Sequence, residues 1–344
     1  MKRGIAVVGV FVLLAFAFAA VTAPAAEEKK MSKKAGKLMS KALEAIKEKQ
    51  PDQAIDLLRQ VVVLEPENAM VRHNLGVLYF EKGLADEAIA SFEEALRLEN
   101  GYQNALLALR QALFETGKSA SARQEFEKAN GYLLKFDGLS RPEAESPEDR
   151  TMQAMARYVL GYNFFNLKQY QLASDYFGKS QAGEGLEKDS PELYANATYF
   201  LGMSAHILGQ YEASNDYFKK YLALYSKGEA RPEFGANANY FIGANLFRLL
   251  EAQLAKGDVA RMAEAAAEIL PFLNMAVENK IPSEDAYVML GNCHVYLKEY
   301  DQAVQSYRQL IELFPQSPQL KNYQAFLDQL LKMKPPDAKA KKKR

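Results

Sequence analysis

The sequence is poor in the residues that build catalytic and metal centres. Its one cysteine, Cys293, allows no intramolecular disulfide and no cysteine-based metal site. Set inside a helical apolar pattern, that thiol reads as a buried structural side chain and not as a reactive one. The three histidines, His73, His206 and His294, stand more than 80 residues apart. None belongs to a His-x-x-x-His pair, the spacing that aims two imidazoles from one helix face at one zinc ion. No glycine-rich phosphate loop, no G-x-S-x-G elbow and no paired-carboxylate motif stands out. The chain therefore reads as a non-enzyme that needs no cofactor and no metal. Its formal net charge is zero, so it has no general electrostatic attraction to nucleic acid. Tryptophan is absent too, yet 19 Tyr and 19 Phe within a chain 49% hydrophobic and 25% charged supply ample core for an ordered protein.

The first residues have a logic of their own. Lys2 and Arg3 precede an uncharged run from Gly4 to Ala26 that ends in small residues from Thr22 onward. This is the order of a secretory signal peptide over residues 1–25, with cleavage after Ala25 because Ala23 and Ala25 form the small-residue pair. The run is also long enough to span a bilayer. Against an anchor stand Lys29, Lys30, Lys33, Lys34 and Lys37, which would put more positive charge outside than the two residues left inside. The expectation is export, to a bacterial periplasm given the missing disulfide framework. Membrane attachment arises only if the N-terminal segment is retained as an anchor.

The stretch from Ala69 to Tyr102 organises the rest. Leu75, Gly76 and Tyr79 are followed by Gly83, then Ala88, Phe92 and Ala95. That order resembles the tetratricopeptide repeat, a helix-turn-helix unit of about 34 residues. Gly76 and Ala88 are small where two helices cross, Phe92 fills the gap between repeats, and Gly83 permits the turn. One period upstream, Ala42, Ala54, Leu58, Val61 and Pro66 hold the register, with Lys41 in place of the usual Leu. One period downstream, Leu109, Gly117, Ala122, Phe126 and Ala129 hold it, with Arg110 where the small Gly belongs. These three repeats form a first block, 35–136. A segment rich in charge, Pro and Gly, 137–150, reads as a loop ending in a Ser146-Pro147 helix start.

A second block, 151–333, carries four more repeats. Leu160, Gly161, Phe164 and Phe177 mark the fourth. Gly161, Gly202 and Gly243 are each 41 residues apart, about two helical turns beyond the standard period, which preserves the facing direction of the side chains. Added residues before Gly257 predict long helices in the sixth repeat, and Pro271 predicts an interruption. The seventh repeat, from Leu290 and Gly291 to Pro315, is regular. Leu320, Tyr323, Leu327 and Leu330 share one side of a terminal capping helix, and 334–344 is a basic tail expected to be disordered. The fold expected is all-α: a solenoid of helical hairpins wound as a right-handed superhelix with a C-terminal cap.

The resemblance implies a groove lined by positions 2, 5, 9 and 12 of each repeat, and a protein or peptide as occupant. Its best-known variant grips a C-terminal carboxylate with Lys at position 5 and Asn at position 9. Here Met39 and Leu43, then His73 and Val77, stand at those positions, so that clamp is not supported. The fourth to sixth repeats instead offer an aromatic stripe: Tyr158, Tyr162 and Phe165; Tyr199, Met203 and His206; Tyr240 and Phe247. Because Leu160, Gly161, Phe164 and Phe177 already supply a core, this stripe is the expected partner-binding surface of an adaptor or scaffold in cell-envelope complex assembly. A glycan-binding or peptidoglycan-binding module and a non-catalytic accessory subunit of an envelope enzyme complex are the alternatives. The sequence leaves the partner and the oligomeric state open.

Overall fold

The computed structural model describes residues 31–139, 146–183, 186–226, 228, 232–257 and 261–333. The signal peptide expected over 1–25, the centre of the expected loop and the tail 334–344 lie outside them. Among the described residues the regular structure is helical, and the chain divides into two compact units at Arg141.

Unit 1 is three helical hairpins: α1 (Lys33–Lys47) with α2 (Pro51–Leu64), α3 (Ala69–Glu81) with α4 (Ala85–Leu98), and α5 (Gln103–Ala122) with α6 (Phe126–Gly138). Helix starts are marked where the sequence offers a cap. Ser32 Oγ accepts from the Ala35 amide at 3.3 Å, and Asn68 Oδ1 from the Val71 amide at 3.1 Å. Each hairpin closes on one pair, a small residue in the first helix and a large one sixteen positions on. A Cβ on Gly76 would sit 2.6 Å from the Phe92 ring, so only glycine lets those helices meet. In the first hairpin Ala42 and Leu58 play these parts, both buried.

The third hairpin corrects the register read from the sequence. Gly117 is not at a turn: α5 runs through it, and a Cβ there would sit 2.6 Å from Leu133. The turn falls at Gln124, whose φ is +63°. Arg110, which looked like a poor substitute for the crossing glycine, lies two turns upstream of the crossing. It is buried, donates from Nη1 to the Leu139 carbonyl at 2.9 Å, and rests 4.8 Å from the Phe136 ring centroid.

Unit 2 continues the scheme. α7 (Pro147–Asn166) pairs with α8 (Tyr170–Gln181), α10 (Pro191–Ile207) with α11 (Tyr211–Ser226), α12 (Pro232–Ala255) with α13 (Met262–Glu278), and α14 (Glu284–Tyr296) with α15 (Tyr300–Leu313). A single turn, α9 (Leu186–Asp189), is inserted before α10, and α16 (Leu320–Met333) follows the last hairpin. Ser146 Oγ caps α7, accepting from the Asp149 amide at 3.1 Å. The crossing pairs are Gly161 with Phe177, Gly202 with Phe218 and Gly291 with Tyr307 at the same spacing, and Gly243 with Leu273 at a wider one. At 24 residues α12 is the long helix that the spacing before Gly257 demanded. Helix α13 does not break at Pro271. That proline is exposed, so the carbonyl its missing amide leaves free is offered to solvent and not buried unpaired. At the end of the unit Leu330 is fully buried, and Tyr323, Phe326 and Leu327 pack on the cluster of Tyr287, Val304, Tyr307 and Leu310. No described helix is long and apolar enough to cross a membrane.

Candidate functional site

The aromatic stripe expected at the surface of unit 2 separates into core and surface members. Its organiser is a residue outside the stripe, Phe200 on α10. The Phe200 ring stacks on Phe177 at 5.3 Å and receives Tyr158, Tyr162 and Phe165 of α7 at 6.2, 5.8 and 5.5 Å. Neighbouring first helices therefore touch through their aromatics. The three α7 side chains are half-buried, each with one side on Phe200 and another left open.

Tyr199 goes further inside. It is 5% exposed, stacked on Phe234 at 4.4 Å and flanked by Phe218 and Tyr221. Burial pushes its hydroxyl pKa well above the ordinary tyrosine value, with a hydrogen bond from Asn237 opposing in part. Phe247 is 3% exposed and belongs to a cluster with Leu250, Leu273, Met289 and Cys293. These two residues, expected at the surface, are core. α10 packs between α7 and α12, and residues 193–202 are buried on every face of that helix. Cys293 lies in the same interior, its thiol pushed up by burial to about 12.

What stays open is Tyr158, Tyr162 and Phe165 on α7, Met203 and His206 at the end of α10, and Tyr240 on α12, all half-buried. Tyr240 is held by a hydrogen bond from Ser283 Oγ at 3.2 Å and by the Phe241 ring at 5.2 Å. Behind His206 lies a buried polar chain. Its Nδ1 is 2.6 Å from Asn245 Oδ1, Asn245 Nδ2 donates to Ser214 Oγ and Asn215 Oδ1 at 2.9 Å each, and Ser214 Oγ donates to the Gly202 carbonyl at 2.8 Å. Asn245 and Ser214 are fully buried, so this chain fixes the histidine from within the core. Sequence reasoning missed Phe200, Phe234 and Asn245. An Asn within the apolar run Phe241 to Phe247 was the one available signal for the last.

Chemically the open face is apolar and aromatic, with tyrosine hydroxyls and one imidazole. None of its members is Asp, Glu, Lys or Arg, and no cluster of three or more metal-ligating His, Cys, Asp or Glu occurs among the described residues. It is suited to contact, with large rigid side chains that lose little freedom on binding.

Three models of the tetratricopeptide repeat match the chain, over residues 39–103, 79–132 and 285–317. Among curated proteins none matches the sequence. Similar solved structures include PilF of Pseudomonas aeruginosa, at 15% identity over 75% of this chain and 96% of that one with a TM-score of 0.40. A tetratricopeptide repeat protein from Parabacteroides merdae matches at 17% identity over 88% and 99%, with a TM-score of 0.33. YrrB, described as having an unusual peptide-binding site, matches at 16% over 78% and 97%, with a TM-score of 0.37. The repeat models fall on hairpins whose crossing pairs and turns obey one rule in both units. Over residues 39–132 and 285–317, by sequence and by the hairpins these residues form, the chain is built of tetratricopeptide repeats.

Proposed function

We propose that this protein is an exported, non-catalytic scaffold that holds a protein or peptide partner on the first-helix face of unit 2. The observation that carries this reading is the half-buried, uncharged set Tyr158, Tyr162, Phe165, Met203, His206 and Tyr240. Apolar side chains gathered on one face of a soluble protein mark a surface that something covers. Aromatic residues anchored at their base, as Tyr158, Tyr162 and Phe165 are by Phe200, are the type that dominates binding energy in protein interfaces. Export, as read from the first 25 residues, sets the partner in the cell envelope.

The test is a double variant, Tyr162→Ala with Met203→Ala, measured against a partner co-purified from envelope extract and then produced in pure form. The two truncations remove contact area while leaving Tyr199 and the core intact. Affinity is expected to fall at least about tenfold with the protein still fully folded at the assay temperature, as its helical circular dichroism reports. Undiminished affinity would remove this face from consideration.

A further inference from the structure

We propose that His206 is the polar recognition element of this face: its Nε2 lone pair accepts a hydrogen bond from a donor on an uncharged, apolar peptide segment. The inference rests on the reading of the unit 2 face as the binding surface. It follows from counting hydrogens in the buried chain behind the ring. Ser214 Oγ gives its single proton to the Gly202 carbonyl at 2.8 Å, so toward Asn245 it can only accept. Asn245 Nδ2 therefore uses one proton on Ser214 and the other on Asn215 Oδ1. That orients the Asn245 oxygen toward His206 Nδ1, 2.6 Å away, and an oxygen without hydrogen requires Nδ1 to donate. In a neutral imidazole the other nitrogen is then a bare acceptor. The core thus dictates that the acceptor of this half-buried ring is Nε2.

The surroundings define what that lone pair selects. The aromatic and hydrogen-bonding neighbours of the ring are Tyr211 of α11, at 6.1 Å, and Phe241 and Asn245 of α12, with Phe241 at 4.8 Å. Tyr211 is the one titratable group among them, and no described carboxylate lies within ion-pair distance of His206. A charged segment would lose hydration here without gaining a counter-charge. A neutral segment with an N–H or O–H placed at Nε2 satisfies the acceptor, and one without a donor leaves it unpaired.

The probe is a set of peptides selected on the intact protein from a displayed random library that includes charged residues, then resynthesised with blocked ends and measured by fluorescence anisotropy. Uncharged apolar sequences are expected; a selection dominated by charged ones overturns the proposal. His206→Asn keeps a donor where Nδ1 stands and removes Nε2, and should weaken binding about three- to tenfold at pH 7.5. If Met203→Ala also leaves binding intact, the face itself is wrongly assigned. If Met203→Ala weakens binding while His206→Asn does not, only the role of His206 falls. Should His206→Asn disturb folding, the imidazole nitrogen shifts of the wild type decide. A proton on Nδ1 and an Nε2 signal that moves on peptide addition support the proposal; a proton on Nε2 overturns it.

Discussion

At the scale of single residues, the histidines show how one side-chain type serves different ends in one chain. His206 is bonded from within the core, and His294 pairs with Glu299 at 2.8 Å. His73 is set between the Phe92 and Tyr102 rings at 5.6 and 5.5 Å, and its buried Nδ1 has no partner among the described residues. Burial lowers its pKa below the ordinary value of 6.5. The unfolded chain then takes up the proton first as pH falls. The contribution of His73 to stability is accordingly complete above the ordinary value and is lost as pH drops through it toward the lower folded value. Between pH 7.5 and 5.5 the melting temperature of unit 1 should fall further in the wild type than in His73→Phe, which retains an aromatic ring without the charge. Equal falls in both proteins would show that the imidazole is not the cause.

At the scale of the helical hairpin, the repeating rule is a small residue against a large one, followed by a left-handed residue seven positions after the small one; α12 and α13 depart from it, with Gly257 fourteen positions after Gly243. Glycine takes that turn at Gly83 and Gly209, while Lys49, Gln124, Lys168 and Lys298 adopt it with φ between +58° and +63°. The rule separates two glycines that look alike in sequence. Gly161→Ala places a methyl group 2.8 Å from the buried Phe177 ring and should destabilise by about 1–3 kcal/mol. Gly178→Ala, inside α8 with no atom within 4 Å of the added carbon, should stabilise by about 0.5–1 kcal/mol. Chemical denaturation of the two variants checks both signs. Helix existence, the crossing glycines of the even-spaced repeats and the terminal cap were legible because each is written locally, as periodicity or as a fixed offset. The third hairpin was misplaced because Gly117 suits a turn and a crossing equally well, and Leu133, which decides between them, looks like any other apolar residue. Tyr199 was misplaced for a related reason. Helical position says which way a side chain points, whereas its burial depends on how closely α7 and α12 approach α10, and that is set by Phe200 and Phe234.

At the scale of the whole molecule, the two units share one construction and differ in what they leave open. In unit 1 the first-helix positions present Leu43 and Met70, 43% and 41% exposed, as separated aliphatic side chains. In unit 2 the corresponding positions of α7 carry Tyr158, Tyr162 and Phe165 seated on Phe200, and this is the proposed place of the partner. The most direct measurement is site-specific photo-crosslinking in the intact protein. Benzoylphenylalanine is introduced singly at Phe165 on α7, at Met70 on α3 and at the exposed Lys219 on α11. The account predicts cross-links to the partner from position 165 and none from position 219, with the position 165 product lost in the Tyr162→Ala, Met203→Ala background. Cross-links from position 70 or 219 with none from 165 would contradict it.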